Sequence, residues 1–162
     1  MTEKTQPQNG RRSLIITPAK DEDEYIEKTL KSLVAQTVRP ALWIIVDDGS
    51  DDDTGEIAER YAAQHDWIQV VHGEKGRARA VGPGVIDAFY FGLSHAKMAD
   101  FDYGTKMDAD IELQPSYFES LMERFEENPR LHTANGKAGV PVEAVTLAYH
   151  NHAAEASPGV QQ

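Results

Sequence analysis

The chain has 162 residues with 16 Lys and Arg against 27 Asp and Glu, a formal net charge of −11, 40% hydrophobic residues and no cysteine. That length supports one hydrophobic core and no second ordinary domain, and the charge argues against a nucleic-acid-binding surface, which needs a basic stripe. Disulfides, thiolate zinc sites and cysteine nucleophiles are excluded, and no apolar run approaches the ~20 residues that span a bilayer.

Met1 to Arg12 is polar, contains Pro7, Asn9 and Gly10, lacks the apolar centre of a signal peptide and reads as a disordered arm, residues 1–12. Ser13 to Thr17 is a short apolar run stopped by Pro18, which predicts a strand buried on both faces. After the loop Ala19 to Glu22, Ile26, Leu30, Leu33 and Val34 recur at helical spacing, and the helix ends near Gln36. Ala41 to Val46 predicts a second buried strand that runs into Asp47, Asp48, Gly49 and Ser50. Asp53 with Glu56 three residues on has the spacing of a capping box, and Ile57 and Tyr61 carry the apolar stripe of the next helix. Ile68 to Val71 is a third strand. Alternation of strand and helix points to a parallel sheet joined by right-handed crossovers.

Between His72 and Gly84 the glycines Gly73, Gly76, Gly82 and Gly84 surround Lys75, Arg77 and Arg79, a basic loop whose cations suit diphosphate oxygens. Val85, Phe89, Leu93 and Ala96 predict a helix packed on the sheet, which leads to a strand beginning at Tyr103 and ending in Asp108 and Asp110. Residues two apart on a strand share a face, so these carboxylates can aim at one hard cation; a surface turn rich in Asp is the plainer alternative. Pro115 suits a first helical position, and Phe118, Leu121, Met122 and Phe125 form the stripe of another helix. Thr133 to Val140 has room for one more strand. The domain then runs over residues 13–137, followed by a weakly patterned tail, residues 138–162. His150 and His152 in that tail read as solvated, since no third metal ligand stands near them.

In an open α/β sheet ligands bind outside the carboxyl ends of the strands. Residues 17–22, 47–50 and 108–110 all fall there. Together with Leu33 to Thr37 and Val46 to Thr54, they make the chain from Ser13 to Leu131 resemble a family 2 glycosyltransferase of the GT-A fold. The fold implied is an open, mostly parallel Rossmann-like sheet with helices on both faces and the C-terminal half missing.

By that resemblance Pro18, Ala19 and Glu22 line the base and ribose pocket, and one of Asp47 or Asp48 hydrogen-bonds the base. Arg77 or Arg79 faces the diphosphate, Asp108 lies near the ribose or the metal, and Asp110 binds Mg²⁺ or Mn²⁺. The partners implied are a nucleotide-diphospho-sugar, with UDP as the expected nucleotide by family frequency, and an acceptor hydroxyl on a glycan, lipid or other molecule. No nucleic acid and no transmembrane segment are expected, and a cytoplasmic setting is, with a partner bringing the chain to the inner membrane face.

The family's general base lies in a second half beyond the D-x-D. Here Glu143 and Glu155 are the only carboxylates after Pro129, and neither can be nominated. The expectation is an inverting transferase, or else a truncated or shortened chain that binds donor and metal without transferring. A sugar-1-phosphate nucleotidyltransferase needs a glycine-rich loop where Thr17 to Glu22 stands, a D-x-D phosphatase fits poorly, and no P-loop is present.

Overall fold

A computed structural model describes residues 11–74, 83–131, 133–137 and 145–150. At the centre of its sheet is β1, Ser13–Ala19, whose consecutive apolar residues are buried on both faces, as a middle strand of a parallel sheet requires. Parallel to it on one side lie β2, Leu42–Asp47, and then β3, Ile68–His72. On the other side lies β4, Tyr103–Lys106, also parallel. Beyond β4 come two antiparallel strands, β5 (Thr133–Lys137) at the edge and β6 (Val145–His150) between them, in the order β3-β2-β1-β4-β6-β5.

The direction of growth dictates where the helices go. From β1 to β3 the chain steps one way, so right-handed crossovers place α1 (Ile26–Val34) and α2 (Thr54–Ala62) on one face. Returning to β4 on the far side of β1 reverses the step, and α3 (Pro83–Leu93) lands on the opposite face. Two core clusters result. Ile15, Trp43 and Ile45 pack under Ile26, Leu30 and Leu33 of α1, Ala58 of α2, and Phe118, Leu121, Met122 and Phe125 of α4 (Tyr117–Glu127). Leu14, Ile16, Ile44 and Val46 point the other way and meet Ala88, Phe89 and Leu93. Buried Trp43 donates its indole N–H to Thr17 Oγ1 at 2.9 Å, which satisfies both polar atoms.

Several local expectations are corrected. Pro18 does not stop β1, which runs on to Ala19 opposite Asp47. Ile16 O accepts from Met107 N, so residues 14, 16 and 18 turn their backbone groups toward β4, and β4 has ended by Pro18. The missing N–H therefore interrupts no ladder. Asp53 makes no side-chain cap on α2; Asp52 Oδ1 takes the Thr54 amide at 3.0 Å instead, and the Thr54 hydroxyl as well. Arg11 and Arg12 are not part of a disordered arm. Arg11 forms a two-pronged ion pair with Glu126 at 2.8 Å, and Arg12 N donates to Asp102 while its guanidinium lies over the Phe101 ring. Residues 138–162, read as a weakly patterned tail, contain β6.

On α3 the buried stripe is Ala88 and Gly92 flanked by Phe89 and Leu93, whereas Val85, assigned inward from periodicity, is exposed together with Ile86, Tyr90 and Phe91. No helix among the described residues is long and apolar enough to cross a membrane.

Small residues let α3 sit close to the sheet. A Cβ on Gly92 would come within 2.7 Å of Val46 Cγ2 and 2.8 Å of Ile16 Cγ2, so something has to shift. Gly92→Ala is expected to destabilise the fold by about 1–2 kcal/mol, the overpacking exceeding a helix-propensity gain of about 1 kcal/mol. Urea unfolding reads this directly, and an unchanged midpoint would refute the close approach.

Candidate functional site

Strand order reverses between β1 and β4, and in open α/β sheets ligands bind outside the carboxyl edge at such a switch point. The loops after β1, β2 and β4 all leave that edge, and the first two are stitched together. Asp48 N donates to Ala19 O at 2.9 Å, and Lys20 Nζ donates to the carbonyls of Asp48 and Gly49, both at 3.1 Å. Asp21 N donates to Ser50 Oγ at 3.0 Å while Asp21 Oδ1 accepts from Asp51 N at 2.8 Å. Glu22 N reaches Thr54 Oγ1 at 2.8 Å, and Asp23 N reaches Asp52 Oδ2 at 3.1 Å. Burial alone would raise the Asp52 carboxyl, but the bonds from Thr54 and Asp23 outweigh it and hold it below the usual carboxylate range. Asp21 closes the turn at φ 52°, in the left-handed region that non-glycine residues avoid but Asp and Asn tolerate best.

The paired aspartates after β2 differ in their surroundings. Asp47 is buried and its two oxygens are taken: Oδ1 accepts from Ser50 N at 3.0 Å, and Oδ2 lies 3.0 Å from His72 Nδ1. The start of α2 closes over it, since a Cβ on Gly55 would stand 2.5 Å from Asp47 Oδ2. Asp48 is half-buried, and among the described residues its carboxylate has no hydrogen bond or ion pair. It is the member of the pair free to meet a ligand.

After β4 the chain keeps a two-residue alternation although the ladder has ended. Met107, Ala109, Ile111 and Leu113 are buried, which leaves Asp108, Asp110 and Glu112 on the outer side. The Ala109 carbonyl is anchored by the Thr29 hydroxyl of α1 at 2.6 Å. Asp108 is ion-paired with Lys106, and Asp110 is exposed with no partner among the described residues. Among those residues no group of three or more His, Cys, Asp and Glu could hold a metal by itself. One or two carboxylate oxygens from a single loop, completed by water and ligand phosphate, is the donor set that Mg²⁺ or Mn²⁺ takes, so Asp108 and Asp110 fit such an ion.

Of the other residues expected here, Pro18 is half-buried at the end of β1 and Glu22 is half-buried at its loop. Ala19 turns its methyl into the core and reaches the edge only through its carbonyl. Arg77 and Arg79 lie outside the described residues, as do Glu143 and Glu155. The structure adds Lys20, Asp21, Asp52, His72 and Lys106. Lys106 was open to discovery, because it shares a strand face with Asp108; His72 was not, because only the β2–β3 register sets it opposite Asp47.

The family described as Glycosyl transferase family 2 matches residues 14–135. EpsJ of Bacillus subtilis (strain 168), an uncharacterized glycosyltransferase, is 32% identical over 114 residues, 70% of this chain and 30% of EpsJ. Residues 1–349 of S. aureus TarS in complex with UDP share the fold at 22% identity with a TM-score of 0.60, over 81% of this chain and 38% of that one. The mannosyltransferase PcManGT of Pyrobaculum calidifontis, in complex with GDP-Man and Mn²⁺, shares it at 19% identity with a TM-score of 0.66, over 90% of this chain and 46% of that one. The chain thus spans less than a third of EpsJ and less than half of either structure.

If Asp21 holds the two loops together, Asp21→Ala loses the bond to Asp51 N and keeps the left-handed strain, a loss of about 1–2 kcal/mol. Asp21→Asn, which retains an acceptor oxygen and tolerates that backbone, is expected to stay within about 0.5 kcal/mol of the parent. Equal stabilities of the two variants would remove Asp21 from this role.

Proposed function

The chain belongs to glycosyl transferase family 2, and from that premise we propose that its carboxyl-edge crevice binds a nucleotide-diphospho-sugar and a divalent cation for transfer of the sugar to an acceptor hydroxyl. The observation that carries this reading is the pair of carboxylates without a partner among the described residues, Asp48 and Asp110, on the loops that follow β2 and β4 at the carboxyl edge of one sheet. Asp48 takes the part of the base-contacting residue, because Asp47 is already satisfied from both sides. Pro18, Ala19 and Glu22 form the neighbouring wall of the base and ribose pocket. Arg77 or Arg79 meets the diphosphate, where a guanidinium matches two phosphate oxygens. Asp110, with Asp108, holds the Mg²⁺ or Mn²⁺.

In the proposed reaction the acceptor oxygen bonds the anomeric carbon as the carbon–diphosphate bond breaks, in one step and with inversion, and the hydroxyl proton passes to a general base of the kind that such enzymes carry beyond the D-x-D. A divalent ion, when bound, supplies charge neutralisation for the departing diphosphate. The stitched loops contribute orientation: their bonds exist before any ligand arrives, so the carboxylates need little reordering. UDP is the nucleotide we propose; TarS is in complex with UDP and PcManGT with GDP-Man, so UDP and GDP are the probes. A second reading is a binding module that holds donor and metal without transferring the sugar. Turnover of UDP-sugar by the purified chain separates the two.

Calorimetric titration with UDP, with and without Mn²⁺, tests the donor site. Metal-dependent binding is expected, and Asp110→Asn should weaken it by roughly tenfold or more, since even outer-shell partners of bound metals are worth that much. Asp48→Asn should weaken nucleotide binding without lowering the unfolding midpoint, whereas Asp47→Asn should lower both. Binding of neither UDP nor GDP under any condition would overturn the reading, and equal effects of the two Asp→Asn changes would overturn the division of labour.

A further inference from the structure

His72 ends β3 directly opposite Asp47, and its ring stands between two carboxylates. Nδ1 is 3.0 Å from Asp47 Oδ2 on β2, and Nε2 is 2.8 Å from Glu59 Oε1 on α2. Ionised carboxylates only accept, so both contacts are hydrogen bonds only when the imidazole carries both protons. A neutral ring leaves one nitrogen lone pair facing a carboxylate oxygen, and one contact must open. The freedom is unequal. Glu59 is half-exposed and can swing out, whereas Asp47 is buried, tied to Ser50 N and covered by the start of α2.

We propose that protonated His72 is the counter-ion and positioning residue of the diaspartate loop, and that nucleoside diphosphate binding weakens as His72 loses its proton. The proposal rests on the donor-site reading above and adds its regulation. His72 touches no ligand; it acts through Asp47, whose carboxylate fixes the turn at Ser50 and thereby the place of Asp48. Its charge also offsets carboxylates at an edge where an anionic diphosphate must arrive. The hydrogen bond with Glu59 is the main cause that raises the His72 pKa; burial opposes it, and Asp47 adds to it. A folded pKa above the ordinary value of about 6.5 means the bridge is complete below that pH and is lost as pH rises through the raised value. Both loop stability and donor affinity therefore decline on the alkaline side.

The test titrates the parent chain, His72→Gln and Glu59→Gln with UDP and Mg²⁺ from about pH 6 to about pH 8.5, a range that brackets the imidazole. Comparison with the variants cancels the nucleotide's own titration. The parent should lose about threefold more affinity across this range than His72→Gln, the scale of a half-exposed ion pair. Glu59→Gln, a change on the outer side of α2, should move the parent's profile to lower pH without abolishing it. In the ligand-free parent, the Ser50 amide resonance should follow the His72 ring titration, which a structural role alone would not produce. A Ser50 amide indifferent to that titration, identical affinity profiles in the parent and His72→Gln, or an unmoved profile in Glu59→Gln would each overturn the proposal. UDP binding that is independent of pH refutes the regulation alone, while no binding at any pH refutes the donor site and the regulation together.

Discussion

Like charges brought to one edge of a sheet repel, and the loops after β1 and β2 bring Asp21, Asp23, Asp47, Asp51 and Asp52 there. Three of them, Asp21, Asp47 and Asp52, accept from backbone amides. Asp51 N, Ser50 N, Thr54 N and Asp23 N each donate to a carboxylate, and a hydrogen bond to an ionised acceptor is stronger than a neutral one. The donors are available because they belong to turns and a helix start, where N–H groups have no intrahelical or ladder partner. Repulsion and amide supply thus explain one another. A loop rich in Asp without these turns would splay, and turns without the carboxylates would leave buried donors unsatisfied.

This constraint divides the acidic residues by what they can do. Carboxylates bound by amides or by His72 hold the loops together, and others are left without a partner among the described residues. Asp48 and Asp110 fall in the second group, Asp47 and Asp52 in the first, and Asp108 stands between them through Lys106. Acidic composition by itself says nothing about this division. Two adjacent aspartates on one strand end look equivalent until hydrogen-bond partners are assigned.

Much of the architecture was nonetheless legible. Continuous apolar runs at Leu14 to Ile16 and Ile44 to Val46 announced strands buried on both faces, and the stripe from Phe118 to Phe125 announced α4, because burial leaves a direct trace in hydrophobic periodicity. What failed did so where a long-range neighbour decides. Pro18 reads as a strand breaker until the end of β4 is known to leave its side of β1 empty. The capping-box spacing at Asp53 loses to Asp52, whose carboxylate also serves Asp23 from another loop. Arg11 belongs to the fold because Glu126 lies opposite it, more than a hundred residues away. β6 carries a pattern too short to stand out from its surroundings. That residues 17–22, 47–50 and 108–110 leave one edge of the sheet was readable, since β1, β2 and β4 run parallel and each ends in one of these loops.

The strand order has a consequence for the newly made chain. β1 can pair with β2 soon after it is synthesised, yet its other edge waits for β4, with Leu14 opposite Gly104. At roughly 5–20 residues per second on a ribosome, that edge stays open for several seconds. During this interval the central strand is an apolar template on which another nascent chain can add. Pro18 removes one donor from this same edge, which shortens the stretch available for a wrong partner.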